Sequence, residues 1–408
     1  MNEIMSKNIL FITTSSLATN PRLVKNIIYF KSKGYNCRVL AFVYGDWSDK
    51  LSEDIIKKYE IDCQLISVSR SPLFLWIEAA IVERLARFLN QLMSTEFLTA
   101  VASNKRSYLL WRAIRKLDFK IDFIEAHTLA ALYPARFLSK IKQSPFMFDI
   151  EDFHPEELIQ KNRVQEKQRR IRILKSHLPE AEIVTAASPL IAFHLEQLLD
   201  WKKGTVQVLN NSFYANEFIE PKLIQEGKKV KFVWFSQTIS FGRGLELFIE
   251  AAHMFSDKIE LVLIGKIDKQ FSDTYINSTN HFIQVVSPMS QLDLHKELSN
   301  YDIGLAIEQS SADFNREICL SNKLFAYLQA GLFLFATNTK GQTDFLKDQK
   351  NHCLLVNQNI KSFAKSIEII IQSITVIRLD KENRFSASEK MCYKNEISKI
   401  EKQLVNFI

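Results

Sequence analysis

The sequence predicts an α/β chain built from two doubly wound parallel sheets. Two observations carry this expectation. Short, continuous apolar runs alternate with amphipathic stretches, as expected of strands covered on both faces. The alternation also runs through once and then starts again at Lys231, which implies two consecutive βαβ arrays. A length of 408 residues allows two or three domains with ample cores.

In the first half the expected strands are Ile9–Thr14, Cys37–Val43, Cys63–Val68, Phe123–Ala126, Phe146–Ile150, Ile183–Ala186 and Val206–Leu209. Pro21–Lys33 reads as an amphipathic helix: Pro21 suits its first turn and Gly34 closes it. Ser71–Lys116 is long, helical and rich in Phe, Trp and Leu, with Arg84, Arg87, Lys105, Arg106, Arg112, Arg115 and Lys116 interspersed. Helices packed on the sheet are the favoured reading of that segment; a basic amphipathic helix lying in a membrane interface is the other.

In the second half the expected strands are Lys231–Phe235, Glu260–Ile264, Phe282–Val286, Ile303–Ala306, Phe333–Ala336 and Cys353–Val356. The helices are Leu245–Phe255, Leu292–Leu298, Lys323–Ala330 and Ile360–Ser373. Asn210–Lys228 has turn residues and little periodicity, and reads as the join. The domains are expected at 1–209, 210–380 and 381–408, the last a helical tail packing back on the first domain.

Composition removes several classes. Hydrophobic residues are 47% and charged residues 24%, so wholesale disorder is excluded. The 10 glycines form neither a G-x-G-x-x-G nor a Walker pattern. The five cysteines include no C-x-x-C pair and the chain has no H-E-x-x-H, which argues against a zinc ribbon, a thioredoxin-type site and a zincin. Scattered thiols fit a reducing cytoplasm. The run Ile9–Ile12 is too short for a signal-peptide core, and no apolar run approaches the roughly 20 residues of a membrane span. The net charge of +7 lies wholly in the first half: 30 Lys and Arg face 23 Asp and Glu over Met1–Val208, against 23 and 23 over Leu209–Ile408. An anionic partner such as a phospholipid surface and an incidentally basic surface explain this equally well.

Ligands of open α/β sheets bind beyond the carboxyl ends of the strands. The first exit, Thr13 to Arg22, with Ser16, Asn20 and Arg22, is polar and feeds a helix whose N-terminus can face a phosphate or a sugar. The fourth exit carries His127. The fifth, Asp149 to Glu157, is dense in carboxylates, holds Asp152 and His154, and can orient sugar hydroxyls or perturb a proton equilibrium. Each of these residues alone reads as a cap, a core group or a solvated turn; together, at successive exits, they favour a site. In the second half, Gln237, Thr238 and Gly242-Arg243-Gly244 follow the first strand. Two glycines, a permanent cation and a helix start form a candidate pyrophosphate seat, and also a plain turn. Asn322 and Lys323 open a later helix whose first turn can meet a diphosphate.

Asn322-Lys323-Leu324-Phe325-x-Tyr327-x-x-Ala330-Gly331, followed by Leu332–Ala336 and Gly341, resembles the C-terminal domain of family 4 GT-B glycosyltransferases. So does Tyr301-Asp302-Ile303-Gly304-Leu305-Ala306. Asn20-Pro21-Arg22, Gly34-Tyr35 and Glu125-Ala126-His127 resemble the acceptor domain of that family. The resemblance implies two Rossmann-like domains facing each other across a cleft and a retaining, hexosyltransferase-type enzyme. It would use a nucleotide diphosphate-sugar, a glycan or lipid-linked glycan acceptor, and no cofactor or metal. It implies roles for His127 near the transferred sugar, for Arg243 at the phosphates and for Glu317 near the first position of the paired-glutamate motif. Gln237, Thr238, Gly242, Gly244, Glu308, Asn322 and Lys323 join Arg243 around the donor, and Ser16, Asn20, Arg22, Asp152 and His154 fall on the acceptor side. Two positions depart from the pattern: Gln237 stands where the family has a phosphate-binding arginine, and Ala326 stands in place of the second glutamate. A GT-B-shaped binding protein without transfer activity is therefore the alternative, and an epimerase or phosphorylase on the same fold ranks last. The expected setting is the cytoplasm, with surface-polysaccharide synthesis at the inner face of a membrane, and no nucleic-acid partner.

Overall fold

A computed structural model describes residues 7–407 except 71, 158, 160, 161, 222–227, 277–279, 311, 312 and 350. The chain divides into two units: Met1–Leu209 with Ile397–Ile408, and Asn210–Glu396. The tail expected as one element from 381 onward is thus shared. Its first part is tied to the second unit because the buried Lys381 ammonium donates to the carbonyls of Ser299 and Tyr301, both at 2.6 Å. Burial lowers this ammonium to about 8.

The first unit holds a seven-stranded, all-parallel sheet of β1 Asn8–Thr13, β2 Asn36–Val43, β3 Asp62–Ser67, β4 Phe123–His127, β5 Phe146–Ile150, β6 Ile183–Ala186 and β7 Gln207–Val208. Its order is β3-β2-β1-β4-β5-β6-β7. β1, β4, β5 and β6 are buried almost end to end, whereas β3, at the edge, alternates irregularly. The order turns back between β1 and β4, and the exits of these two strands are tied: Thr14 N–H donates to Thr128 Oγ1 at 3.2 Å and the two hydroxyls lie 2.7 Å apart.

The second unit holds a six-stranded parallel sheet of β8 Val230–Ile239, β9 Ile259–Ile267, β10 Ile283–Val286, β11 Ile303–Ala306, β12 Phe333–Thr337 and β13 Cys353–Val356. The order β10-β9-β8-β11-β12-β13 repeats the plan of the first sheet and places the switch point between β8 and β11. Phe232, Trp234, Leu261, Leu263, Ile303, Leu305 and Phe335 form one side of its core with Phe248, Phe363 and Ile367 from helices. Leu324, Phe325, Ala326 and Tyr327 line the other side.

Two expectations need correction. β8 does not end at Phe235. After an irregularity it pairs again, Thr238 with Lys266 and Ile239 with Ile267, so Gln237 and Thr238 are strand residues rather than loop residues. Gly265 makes the close approach there: a Cβ on it would lie 2.0 Å from the Ser236 carbonyl oxygen. Residues 72–116 of the long helical stretch hold three helices, Leu73–Leu92, Glu96–Ser103 and Lys105–Ile114. Thr95 and Asn104 break the run because their side chains accept the N–H groups of Leu98 and Arg106.

Candidate functional site

In the first unit the strand exits gather charge inside the protein. His127, at the end of β4, is 0% exposed. Its Nε2 meets Glu125 Oε1 at 2.8 Å, its Nδ1 meets Glu151 Oε1 at 2.9 Å, and Asp149 Oδ2 lies 3.4 Å from Nδ1. Burial alone favours the neutral ring; the hydrogen bonds to Glu125 and Glu151 and the charge of Asp149 outweigh it and raise the imidazole to about 10. His127 is therefore an imidazolium that donates to two carboxylates. Both ring nitrogens of His127 are engaged by carboxylates, and Glu151, its side chain 24% exposed, is the member of the group that solvent reaches.

Asp149 is held from the other side by Arg22, whose Nε and Nη2 donate to its two oxygens at 2.7 Å each, while Nη1 donates to the Leu209 carbonyl at 2.7 Å. The Thr185 hydroxyl also donates to Asp149. Oxygen and nitrogen atoms of His127, Asp149 and Glu151 come within 4.8 Å of one another, the spacing of a candidate metal site. The donors already on Asp149 and the 2.9 Å contact between His127 and Glu151 make it an ion-pair cluster instead.

Three acceptor candidates are corrected by the same packing. Arg22 is the buried tie just described. Asn20 is buried and caps the helix Pro21–Ser32, its Oδ1 accepting Leu23 N–H at 3.1 Å. Ser16 is buried with its hydroxyl 2.9 Å from that of Thr19. Polar residues at a strand exit satisfy the chain's own donors before they can meet a ligand. Asp152 is half-buried in the turn after β5. His154 is buried, with Nδ1 3.1 Å from Glu157 Oε2 and Nε2 lacking a hydrogen-bond partner. Burial pushes the Glu157 carboxyl up, but His154, Arg170 and Arg106 together hold it below its ordinary value.

Sequence reasoning gave Arg106 no place at a strand exit and passed over Tyr44. Arg106 Nη1 and the Tyr44 hydroxyl both donate to the Thr14 carbonyl, at 2.8 and 2.7 Å, at the β1 exit. It also passed over the backbone at Thr128, where φ is +71°. Positive φ at a β-branched residue stores about 1–3 kcal/mol and is held only by firm surroundings.

In the second unit the candidates converge at the switch point. Gly244 caps the helix Leu245–Ala252 with φ +83°, and a Cβ on it would lie 2.4 Å from Ile307 Cγ2, just beyond β11. In the amide orientation that satisfies both groups, Gln309 accepts from Gly244 N–H at 3.3 Å and donates to the Gly242 carbonyl at 3.2 Å. Glu246 accepts from Gly242 N–H. The loop carrying Arg243 is thus fastened by side chains, and two of its N–H groups are occupied. What remains for an anion is chiefly charge.

That charge is assembled from three segments. Lys323, in the first turn of the helix Asn322–Gln329, has its ammonium 5.3 Å from the Trp234 ring. Burial lowers its pKa most; Glu308 pulls it up, while Arg243 and Arg316 push it further down. Arg316 Nη1 lies 3.4 Å from Glu308 Oε2. Arg243, Arg316 and Lys323 therefore share one field with Glu308. Asn322 accepts from the Asn211 carboxamide. Glu317 accepts from Lys340 N–H at 3.2 Å through Oε1, and its Oε2 is buried without a hydrogen-bond partner. Leaving such an oxygen unpaired costs about 1–3 kcal/mol, so it is suited to a ligand hydroxyl. Gln237 is exposed and uncharged, and Ala326 is fully buried inside its helix; neither adds to the cluster.

No protein-family model and no curated protein matches the sequence. Solved structures do match. Anabaena Alr3699/HepE, in complex with UDP and glucose, is 15% identical, covers 98% of this chain over 100% of its own, and superposes with a TM-score of 0.66. Sucrose-phosphate synthase from Thermosynechococcus elongatus is 12% identical over 98% and 99% of the two chains, with a TM-score of 0.67. A glycosyltransferase from Rickettsia africae is 12% identical over 99% and 98%, with a TM-score of 0.64. With two parallel-sheet domains of like order and full-length matches of this kind, the chain has the GT-B fold of two Rossmann-like domains.

Proposed function

We propose that the chain is a retaining, family 4-like hexosyltransferase. It moves a sugar from a nucleotide diphosphate-sugar, bound by the second unit, to a glycan or lipid-linked glycan in surface-polysaccharide synthesis. The observation that carries this reading is the charge at the β8–β11 switch point, where Arg316 lies 3.4 Å from Glu308 and the Lys323 ammonium is influenced by Glu308, Arg243 and Arg316. Support also comes from neighbours solved with UDP, among them Anabaena HepE and Staphylococcus aureus TarM.

The chemistry follows from the charges. As the bond from the sugar to the diphosphate opens, the sugar becomes oxocarbenium-like and the leaving diphosphate gains negative charge. Fixed cations at Arg243 and Lys323 stabilise that charge without reorganising. The unpartnered Oε2 of Glu317 accepts a sugar hydroxyl and orients the ring. A new bond forms from the acceptor oxygen to the anomeric carbon, and the acceptor proton leaves with the diphosphate. Arg243 and Lys323 supply this neutralisation, with Arg316 held by Glu308, and the reaction is proposed to be metal-independent.

A thermal-shift panel of UDP-, GDP-, ADP- and dTDP-sugars tests the reading. A donor present at about one hundred times its Kd stabilises the fold by about 2.7 kcal/mol. A flat response to every nucleotide-sugar overturns it. Gln237 and Ala326 favour one other reading, a nucleotide-sugar or glycan binding protein without transfer. Binding with no donor hydrolysis and no transfer to any acceptor selects it.

A further inference from the structure

The helix Leu73–Leu92 buries one face and leaves the other bare. Ala79, Ala86 and Asn90 are its buried residues, Ala86 packing with Val101 and Ala102. On the opposite side Phe74, Ile77, Ile81, Leu85, Phe88 and Leu92 recur at three- and four-residue spacing and stand exposed, Phe74 by 63%, Phe88 by 62% and Leu92 by 74%. At 1.5 Å per residue this stripe is about 27 Å long. Contiguous apolar surface of that extent marks an interaction site.

The charges around the stripe name the partner. Arg112, paired with Glu78, lies 5.7 Å from the Phe74 ring on the stripe, and Arg70 and Lys105 lie 5.6 and 5.3 Å from the ring of half-buried Trp76 on the helix's flank. Arg84 is exposed at the margin of the stripe. The acidic residues of the helix are engaged, Glu78 with Arg112 and Glu83 with Arg87. Aromatic rings ringed by cations suit the headgroup level of a bilayer, where apolar chains go down and charged tips stay with phosphate. Among the described residues no helix is long and apolar enough to cross a membrane, so the geometry is that of a helix lying in the surface.

We infer that this face docks the protein on an anionic phospholipid bilayer, with the helix in the plane of the headgroups. A second copy of the chain would cover the apolar stripe but would gain nothing from the cations. The inference goes beyond sugar transfer and stands without it, since it concerns a surface the donor residues do not form.

Flotation of the full-length protein with vesicles tests it at low salt. The protein is expected to float with phosphatidylcholine vesicles containing phosphatidylglycerol, and to float less with phosphatidylcholine alone or at high salt. Phe74→Ser/Ile81→Ser/Phe88→Ser should lower the partition coefficient more than about tenfold. Its melting temperature should not change, because these side chains contribute little to the core. Arg70→Glu/Arg84→Glu should remove the preference for phosphatidylglycerol. Wild-type protein left in the soluble fraction with the anionic vesicles overturns the proposal. So does unchanged partition of the triple variant, or a dimer that this variant dissociates in a protein that never floats.

Discussion

At the scale of single residues, the first unit is held by buried charge. Arg22 is 2% exposed and Asp149 0%, and removing one partner leaves the other charged and unpaired, at a cost of about 3–5 kcal/mol. Arg22→Met should therefore lower the unfolding free energy by about that much in urea titration, while a nucleotide that binds the second unit keeps its affinity. His127 adds a pH dependence of known sign. Its folded pKa, about 10, is raised from an ordinary 6.5. The stability it supplies is complete below the ordinary value and is lost as pH climbs through about 10. Melting temperatures followed from neutral pH to above pH 10 should fall more steeply for wild type than for His127→Gln. Parallel curves would mean that the ring is neutral in the folded protein.

At the scale of elements, the strands were legible and their edges less so. Continuous apolar runs placed β1, β4, β5, β11 and β12 because those strands are covered on both faces. The continuation of β8 to Ile239 was not legible: Ser236, Gln237 and Thr238 are polar, and the pairing resumes through an irregularity that Gly265 permits. The helix Leu73–Leu92 shows a different limit. Its periodicity was plain, but apolar residues lie on both faces, and small alanines rather than Phe and Leu turned out to face inward. Close approach to a neighbouring helix favours the small side chains, which hydrophobicity alone does not predict. The Gly242-Arg243-Gly244 turn gives a sharper test. Gly244→Ala meets both a positive φ and Ile307, whereas Gly242→Ala meets a positive φ of +75° but open space around its Cβ. Gly244→Ala is expected to cost about 2–4 kcal/mol of stability and to displace Arg243. Gly242→Ala, which carries the φ strain without the clash, should cost less by the same denaturation measurement.

At the scale of the whole molecule, the sequence announced two sheets by repeating one pattern, and the two sheets share the order that puts the first strand of each unit beside its fourth. A cationic side chain at a helix start was legible, as with Arg243 and Lys323. The site was illegible where a polar residue serves the chain itself: Ser16, Asn20 and Arg22 carry the same residue types as ligands would, and only burial tells the two apart. Glu317 lies between these cases, since its place near the motif was visible but its unpartnered oxygen was not. The account as a whole requires that the cations of the second unit receive a nucleoside diphosphate. Calorimetric titration of wild type and Arg243→Ala with the nucleotide-sugar that gives the largest thermal shift measures this directly. Loss of the guanidinium should weaken affinity by about 2 kcal/mol, roughly thirtyfold; equal affinity in the two proteins would place the donor elsewhere and contradict the assignment.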